Sequence, residues 1–138
     1  MVKLKNLTTS ANRLTEEILT EVLAGFVLYD EATRSILLTP TARRLNNGRK
    51  TLLFLLALRG WKFIISDKNR PLGRIKPKEL AKQLRIPGNS LRPLLLRLYK
   101  QYGLINKDAT GAYYIPGVFV DDVRKFLRKK GGEKNDRK

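Results

Sequence analysis

Residues 75–115 read IKPKELAKQLRIPGNSLRPLLLRLYKQYGLINKDATGAYYI, and the spacing of the apolar residues within them decides the fold. Pro77 suits the first turn of a helix, and Leu80, Ala81 and Leu84 then share one helical face. Ile86 and the Pro87–Gly88 turn signal close that segment. A second helix follows at once, from about Asn89 to Tyr102. Its apolar positions Leu91, Leu94, Leu95, Leu98 and Tyr102 recur at helical spacing, while Asn89, Arg97 and Lys100 fall opposite them with Arg92 at the flank. Pro93 is tolerated only within a first turn, which predicts a helix start near Asn89 or Ser90. Gly103 then ends the helix, Leu104 to Lys107 reads as a strand, Asp108 to Gly111 as a turn and Ala112 to Ile115 as the return strand.

Outward from this stretch the chain stays helical, with one more hairpin. Residues Arg49 to Gly60 form a helix apolar nearly all round, through Leu52, Leu53, Phe54, Leu55, Leu56 and Leu58. A helix without a polar face has to be covered on several sides. The cover is expected either from the segments flanking it in the chain or from a second copy of the protein. Upstream, Ser10 is a helix cap, and Leu14, Ile18, Val22 and Leu23 line one face with Glu16, Glu17 and Glu21 on the other. Phe26 to Tyr29 and Ile36 to Leu38 read as a hairpin, and Thr39–Pro40 starts a short helix that the Asn46, Asn47, Gly48 cluster breaks. Ser66 to Arg74 reads as an exposed loop. Downstream, Phe119, Val120, Val123, Phe126 and Leu127 form the apolar stripe of a terminal helix. The expected class is therefore mainly α with small β-hairpins (α+β). It divides into an N-terminal extension over 1–46, a central unit over 47–116, an amphipathic helix over 117–129 and a disordered basic tail over 130–138.

Composition narrows what such a fold does. The chain has 138 residues and a formal net charge of +17, with neither cysteine nor histidine. Disulfides, thiol nucleophiles, imidazole or thiolate metal sites and histidine proton transfer are thereby removed, so neither enzyme activity nor a cofactor is expected. Residues 1–46 are near neutral, with 6 basic against 5 acidic side chains, whereas 47–127 hold 17 against 5. So concentrated an excess points to a polyanion, because phosphate neutralisation with counterion release rewards it. The longest apolar run, Leu52 to Leu58, is far short of the roughly 20 residues of a membrane span. A soluble, cytoplasmic protein without a membrane partner is expected, nucleoid-associated if the source is prokaryotic.

Two amphipathic helices joined by a tight turn make a helix-turn-helix. With an apolar helix before it and a hairpin after it, the stretch from about residue 48 to 116 resembles the winged helix-turn-helix superfamily of DNA-binding domains. The pieces that carry the resemblance are KELAKQLRIPGNSLRPLLLRLYKQYGLI and NKDATGAYYI, with Ala81 at the small position where the two helices approach. The resemblance implies that helix 89–102 enters the major groove and offers Asn89, Ser90, Arg92, Arg97 and Lys100 to bases or phosphates. Lys76, Lys78, Lys82 and Lys107 are implied to hold the DNA backbone. The expected function is sequence-specific duplex-DNA binding in the regulation of transcription, and the over-apolar helix around Phe54, with the two amphipathic segments outside the winged helix, leads to the expectation of a homodimer. Asp108 at the hairpin tip counts against the wing as a reader.

Plainer readings stand beside these. Leucines of the second helix are core, Glu16, Glu17 and Glu21 are a solvated face, and Tyr113, Tyr114 and Trp61 pack rather than stack on bases. A sequence-tolerant architectural or replication/partition-associated binder would use the same charge without base reading. An adaptor would use the fold to hold a protein, and RNA is a further polyanion.

Overall fold

In a computed structural model the described residues are 4–66, 68 and 70–128, with side chains described from residue 14 onward. The tail over 130–138 lies outside them. The chain runs α1 (Leu4–Leu23), β1 (Val27–Asp30), β2 (Ser35–Leu38), α2 (Pro40–Arg43), α3 (Asn47–Ile64), α4 (Pro77–Leu84), α5 (Gly88–Leu96), a π turn (Arg97–Gln101), β3 (Asn106–Lys107), β4 (Tyr113–Tyr114) and α6 (Val120–Arg128). The class is mainly helical with two small antiparallel hairpins.

α3 is the axis of this arrangement. Leu52, Leu55, Leu56 and Ala57 are fully buried, and Leu53, Phe54, Leu58 and Trp61 nearly so. Its cover comes from the same chain: α1 and the β1–β2 hairpin on one side, α5, α6 and β4 on the others. Of the two expected sources, the flanking segments suffice, and a second copy is not required to bury α3. The helix is longer than the sequence suggests at both ends. Asn46 caps it by accepting from the Arg49 N–H at 2.9 Å, so the Asn-rich cluster begins a helix instead of only ending one. At the other end the helix continues past Gly60 through buried Trp61 and half-buried Phe63 to Ile64. α1 likewise starts at Leu4, before Ser10, so Ser10 is not its cap.

The N-terminal layer locks onto α3 by polar as well as apolar contacts. The Tyr29 hydroxyl donates to the Ala57 carbonyl at 2.5 Å, and its ring meets Trp61 edge-on at 4.9 Å between centroids. Burial pushes the Tyr29 phenol well above its ordinary pKa, so it remains a donor. Thr39 caps α2 through the Ala42 N–H and donates to the Gly25 carbonyl, tying the hairpin exit to its entrance. On the far side, buried Arg49 donates to the Leu127 carbonyl and Arg59 to the Ile115 carbonyl at 3.2 Å. Glu21 of α1 pairs with Arg128 and with Arg124 of α6, so α3 is enclosed by helices that also hold one another.

Gly60 is where Tyr29 crosses α3: an added Cβ would land on the phenol oxygen. Gly60→Ala is therefore expected to lower stability by about 1–3 kcal/mol through overpacking. In the Tyr29→Phe background the same change should cost clearly less, since the hydroxyl clash is gone and only a close ring-carbon contact at 3.3 Å remains, and alanine is the better helix former. Urea denaturation midpoints of the four proteins check this, and additive effects would contradict it.

Candidate nucleic-acid interface

α4 and α5 owe their angle to a turn of three residues. α4 buries Leu80 and Leu84 and stops at Arg85, which adopts the left-handed conformation (φ 58°, ψ 42°). Its N–H reaches back to Lys82 at 3.3 Å, and Ile86 N–H to Ala81 at 3.1 Å. A non-glycine residue costs about 1–2 kcal/mol in that conformation. Ile86 then buries its side chain, and Pro87, with a fixed φ of −56°, leads directly into α5.

α5 begins at Gly88, so Pro93 lies beyond the first turn and the expected start near Asn89 or Ser90 is corrected. Proline is accommodated because the donor it lacks would have served the Asn89 carbonyl, on an exposed turn at the helix start. The helix then widens: Arg97–Gln101 is a π turn closed by Tyr102 N–H on the Arg97 carbonyl at 3.0 Å. The regular helix expected to run to Tyr102 therefore ends at Leu96.

Leu91, Leu94, Leu95 and Leu98 point into the core. Asn89, Ser90, Arg92, Pro93, Leu96 and Lys100 are exposed, and Arg97 is half-buried. Asn89 and Leu96 are two turns apart and thus point the same way, directly opposite the core leucines. Arg92 and Arg97 flank that line. Arg97, expected opposite the core, sits instead on the boundary, and the centre of the outer face belongs to Asn89, Leu96 and Lys100. Pro93, Leu96, Arg97, Lys100 and Gln101 line one shallow groove there. Leu96 escaped the sequence reading because a leucine in a leucine-rich helix is assigned to the core. Only its register one residue past the Leu94–Leu95 pair marks it as outward.

The second hairpin stands beside this helix. β3 and β4 pair Asn106 with Tyr114 and Lys107 with Tyr113, and Ile75 adds a third short strand by exchanging two hydrogen bonds with Tyr113. Leu104 and Ile105 are buried but outside the ladder, so the strands are shorter than Leu104–Lys107 and Ala112–Ile115. Lys107 Nζ lies 5.8 Å from the Tyr99 ring centre and 5.9 Å from that of Tyr113, rings that meet edge-on. This cation–π seat holds the ammonium at the junction of helix and hairpin.

Asp108 is a building element of the turn. One carboxylate oxygen accepts from the Thr110 N–H (2.9 Å), the Thr110 hydroxyl (2.6 Å) and the Ala112 N–H (3.0 Å). The other oxygen pairs with Arg74 at 3.0 Å. Gly111 takes the left-handed position at φ 90°. The acid therefore does not stand as an isolated negative charge at the tip.

Lys78 and Lys82 lie one turn apart on the exposed face of α4, and Lys76 precedes its first turn, also exposed. Arg85, in the turn between the helices, is a further exposed cation that the sequence reading passed over. Acidic residues across 74–107 number one, Glu79, against nine basic ones. Among the described residues no group of three or more carboxylates is placed to hold a metal ion, and no helix is long and apolar enough to cross a membrane.

No protein-family model, curated protein or solved structure matches this chain.

The hydrogen bond from the Thr110 hydroxyl is the main cause holding the Asp108 carboxyl below its ordinary pKa, helped by the Ala112 and Thr110 N–H groups and by Arg74. A depressed folded-state pKa gives stability present above the ordinary value and lost as pH falls through the folded one. Amide protection at Thr110 and Ala112 is expected to persist at neutral pH and down through pH 5, and to fall under acid below roughly pH 4. Asp108→Asn should weaken protection at pH 7 and remove that acid step, and an unchanged acid profile in this variant would contradict the assignment.

Proposed function

We propose that this chain is a non-enzymatic, sequence-specific duplex-DNA-binding protein of winged helix-turn-helix type, acting as a homodimeric transcriptional regulator. The observation that carries this reading is the outer face of α5 and its π turn. An otherwise core-bound helix offers Asn89, Arg92 and Lys100 to solvent, next to a hairpin that seats Lys107 on two aromatic rings. An α-helix fits the major groove, where asparagine bonds adenine and arginine bonds guanine bidentately. Ser90 and Arg97 stand at the edges of that face and suit phosphate or sugar oxygens. Lys76, Lys78, Lys82, Arg85 and Lys107 suit the phosphates of the backbone, which set register without reading sequence.

The order of elements supports the same reading: a covered helix, two helices at a tight turn, and a hairpin completed by a strand from before α4. Two copies enter the proposal because one short helix contacts few base pairs, and symmetric half-sites double what is read. The covered α3 gives no argument for a dimer.

A binding titration over a salt series tests the reading. With about five phosphates neutralised, log affinity for a selected duplex should fall against log salt with a slope of roughly −4 to −5. Random duplex should bind far more weakly, and RNA and single strands more weakly still. Equal affinity for all duplexes would favour an architectural binder, and no duplex binding at low salt would refute both.

Two substitutions separate the roles. Arg92→Ala is expected to cost about 1–3 kcal/mol on the selected duplex and little on random duplex, whereas Lys82→Ala should weaken both and reduce the salt slope by about 1. Arg85→Gly should raise thermal stability while weakening binding, because glycine relieves the left-handed strain but removes the cation.

A further inference from the structure

The outer face of α5 holds a side chain that neither phosphate binding nor hydrogen-bonded base reading uses. Leu96 is 47% exposed, and it is the one large apolar residue of α5 to be so among the described residues. A single exposed leucine on a protein surface is ordinary. Leu96 differs by position: it points with Asn89 away from the core, between Arg92 and Arg97, with exposed Pro93 one turn before it and Lys100 one turn after. The groove between Pro93, Leu96, Arg97, Lys100 and Gln101 is more apolar than polar in its lining. Whatever docks there meets an apolar spot framed by cations.

Duplex DNA offers one apolar group in the major groove, the thymine 5-methyl, and apolar side chains read it by contact. Resting on the function proposed above, we infer that Leu96 is a specificity-determining residue whose side chain packs on a thymine methyl, with Pro93 extending the contact. Arg92 and Asn89 would then read neighbouring bases by hydrogen bonds while Leu96 fixes a thymine among them. A long aliphatic side chain at this place also disfavours cytosine, whose amino donor it would cover without accepting from it.

The test uses the full chain and a duplex selected from a random pool by repeated binding, resynthesised with deoxyuridine in place of each thymine in turn. Uracil removes the methyl and leaves every hydrogen-bonding atom. At one or two positions the wild-type protein is expected to lose about fourfold in affinity, the worth of one buried methyl group. Leu96→Ala and Leu96→Gln should bind the thymine duplex correspondingly less well and show no thymine-to-uracil difference at those positions. Both variants should melt like the wild type, since Leu96 makes no part of the core cluster. A thymine-to-uracil ratio that is one for the wild type, or that is the same in the variants, overturns the inference and leaves duplex binding standing. Failure of any duplex to be selected overturns both.

Discussion

A helix with no polar face has to be enclosed, and the enclosure of α3 sets the position of everything around it. Seven consecutive apolar residues, Leu52 to Leu58, bury side chains in every direction around the axis. The near-neutral α1 and first hairpin cover one side, and α5, β4 and α6 cover the others. α5 can give Leu91, Leu94, Leu95 and Leu98 to this core only by turning Asn89, Leu96 and Lys100 outward. The exposed face is thus fixed by the packing of the opposite one, and the cations do not need to hold it in place.

The same enclosure explains the arginines that do not face solvent. Arg49 and Arg59 leave α3 at its rim and satisfy carbonyls of Leu127 and Ile115, the ends of chain segments that close over the helix. Charge-assisted hydrogen bonds to backbone carbonyls are stronger than neutral ones. Part of the positive charge in the sequence is therefore structural, and burial lowers the Arg59 pKa. The lysines of α4, Arg85, the rim of α5 and the seated Lys107 are among the cations that stay at the surface.

Periodicity made the element order legible, because Leu80–Leu84, Leu91–Leu98 and Val120–Leu127 repeat at helical spacing regardless of context. The start of α2 was legible because Thr39 is followed at once by Pro40, which suits a first helical position. Features set by tertiary contact were not legible. Asn46 reads equally as breaker or cap, and only the covered α3 decides it. Pro93 was placed by a rule for isolated helices, whereas an exposed turn tolerates a missing donor. The π turn, the left-handed Arg85 and the outward Leu96 leave no composition signal, and Asp108 needed the Thr110 and Arg74 partners to be seen as a turn builder.

The account stands on the outer face of α5 meeting duplex DNA. An amide chemical-shift titration of the isotope-labelled full chain with a short mixed-sequence duplex at low salt tests it most directly. The account predicts that the largest shifts fall on 88–101, with smaller ones at 76–85 and at Lys107, and that α1 and the β1–β2 hairpin stay still. Shifts centred on residues 14–45 with 88–101 unmoved would contradict it.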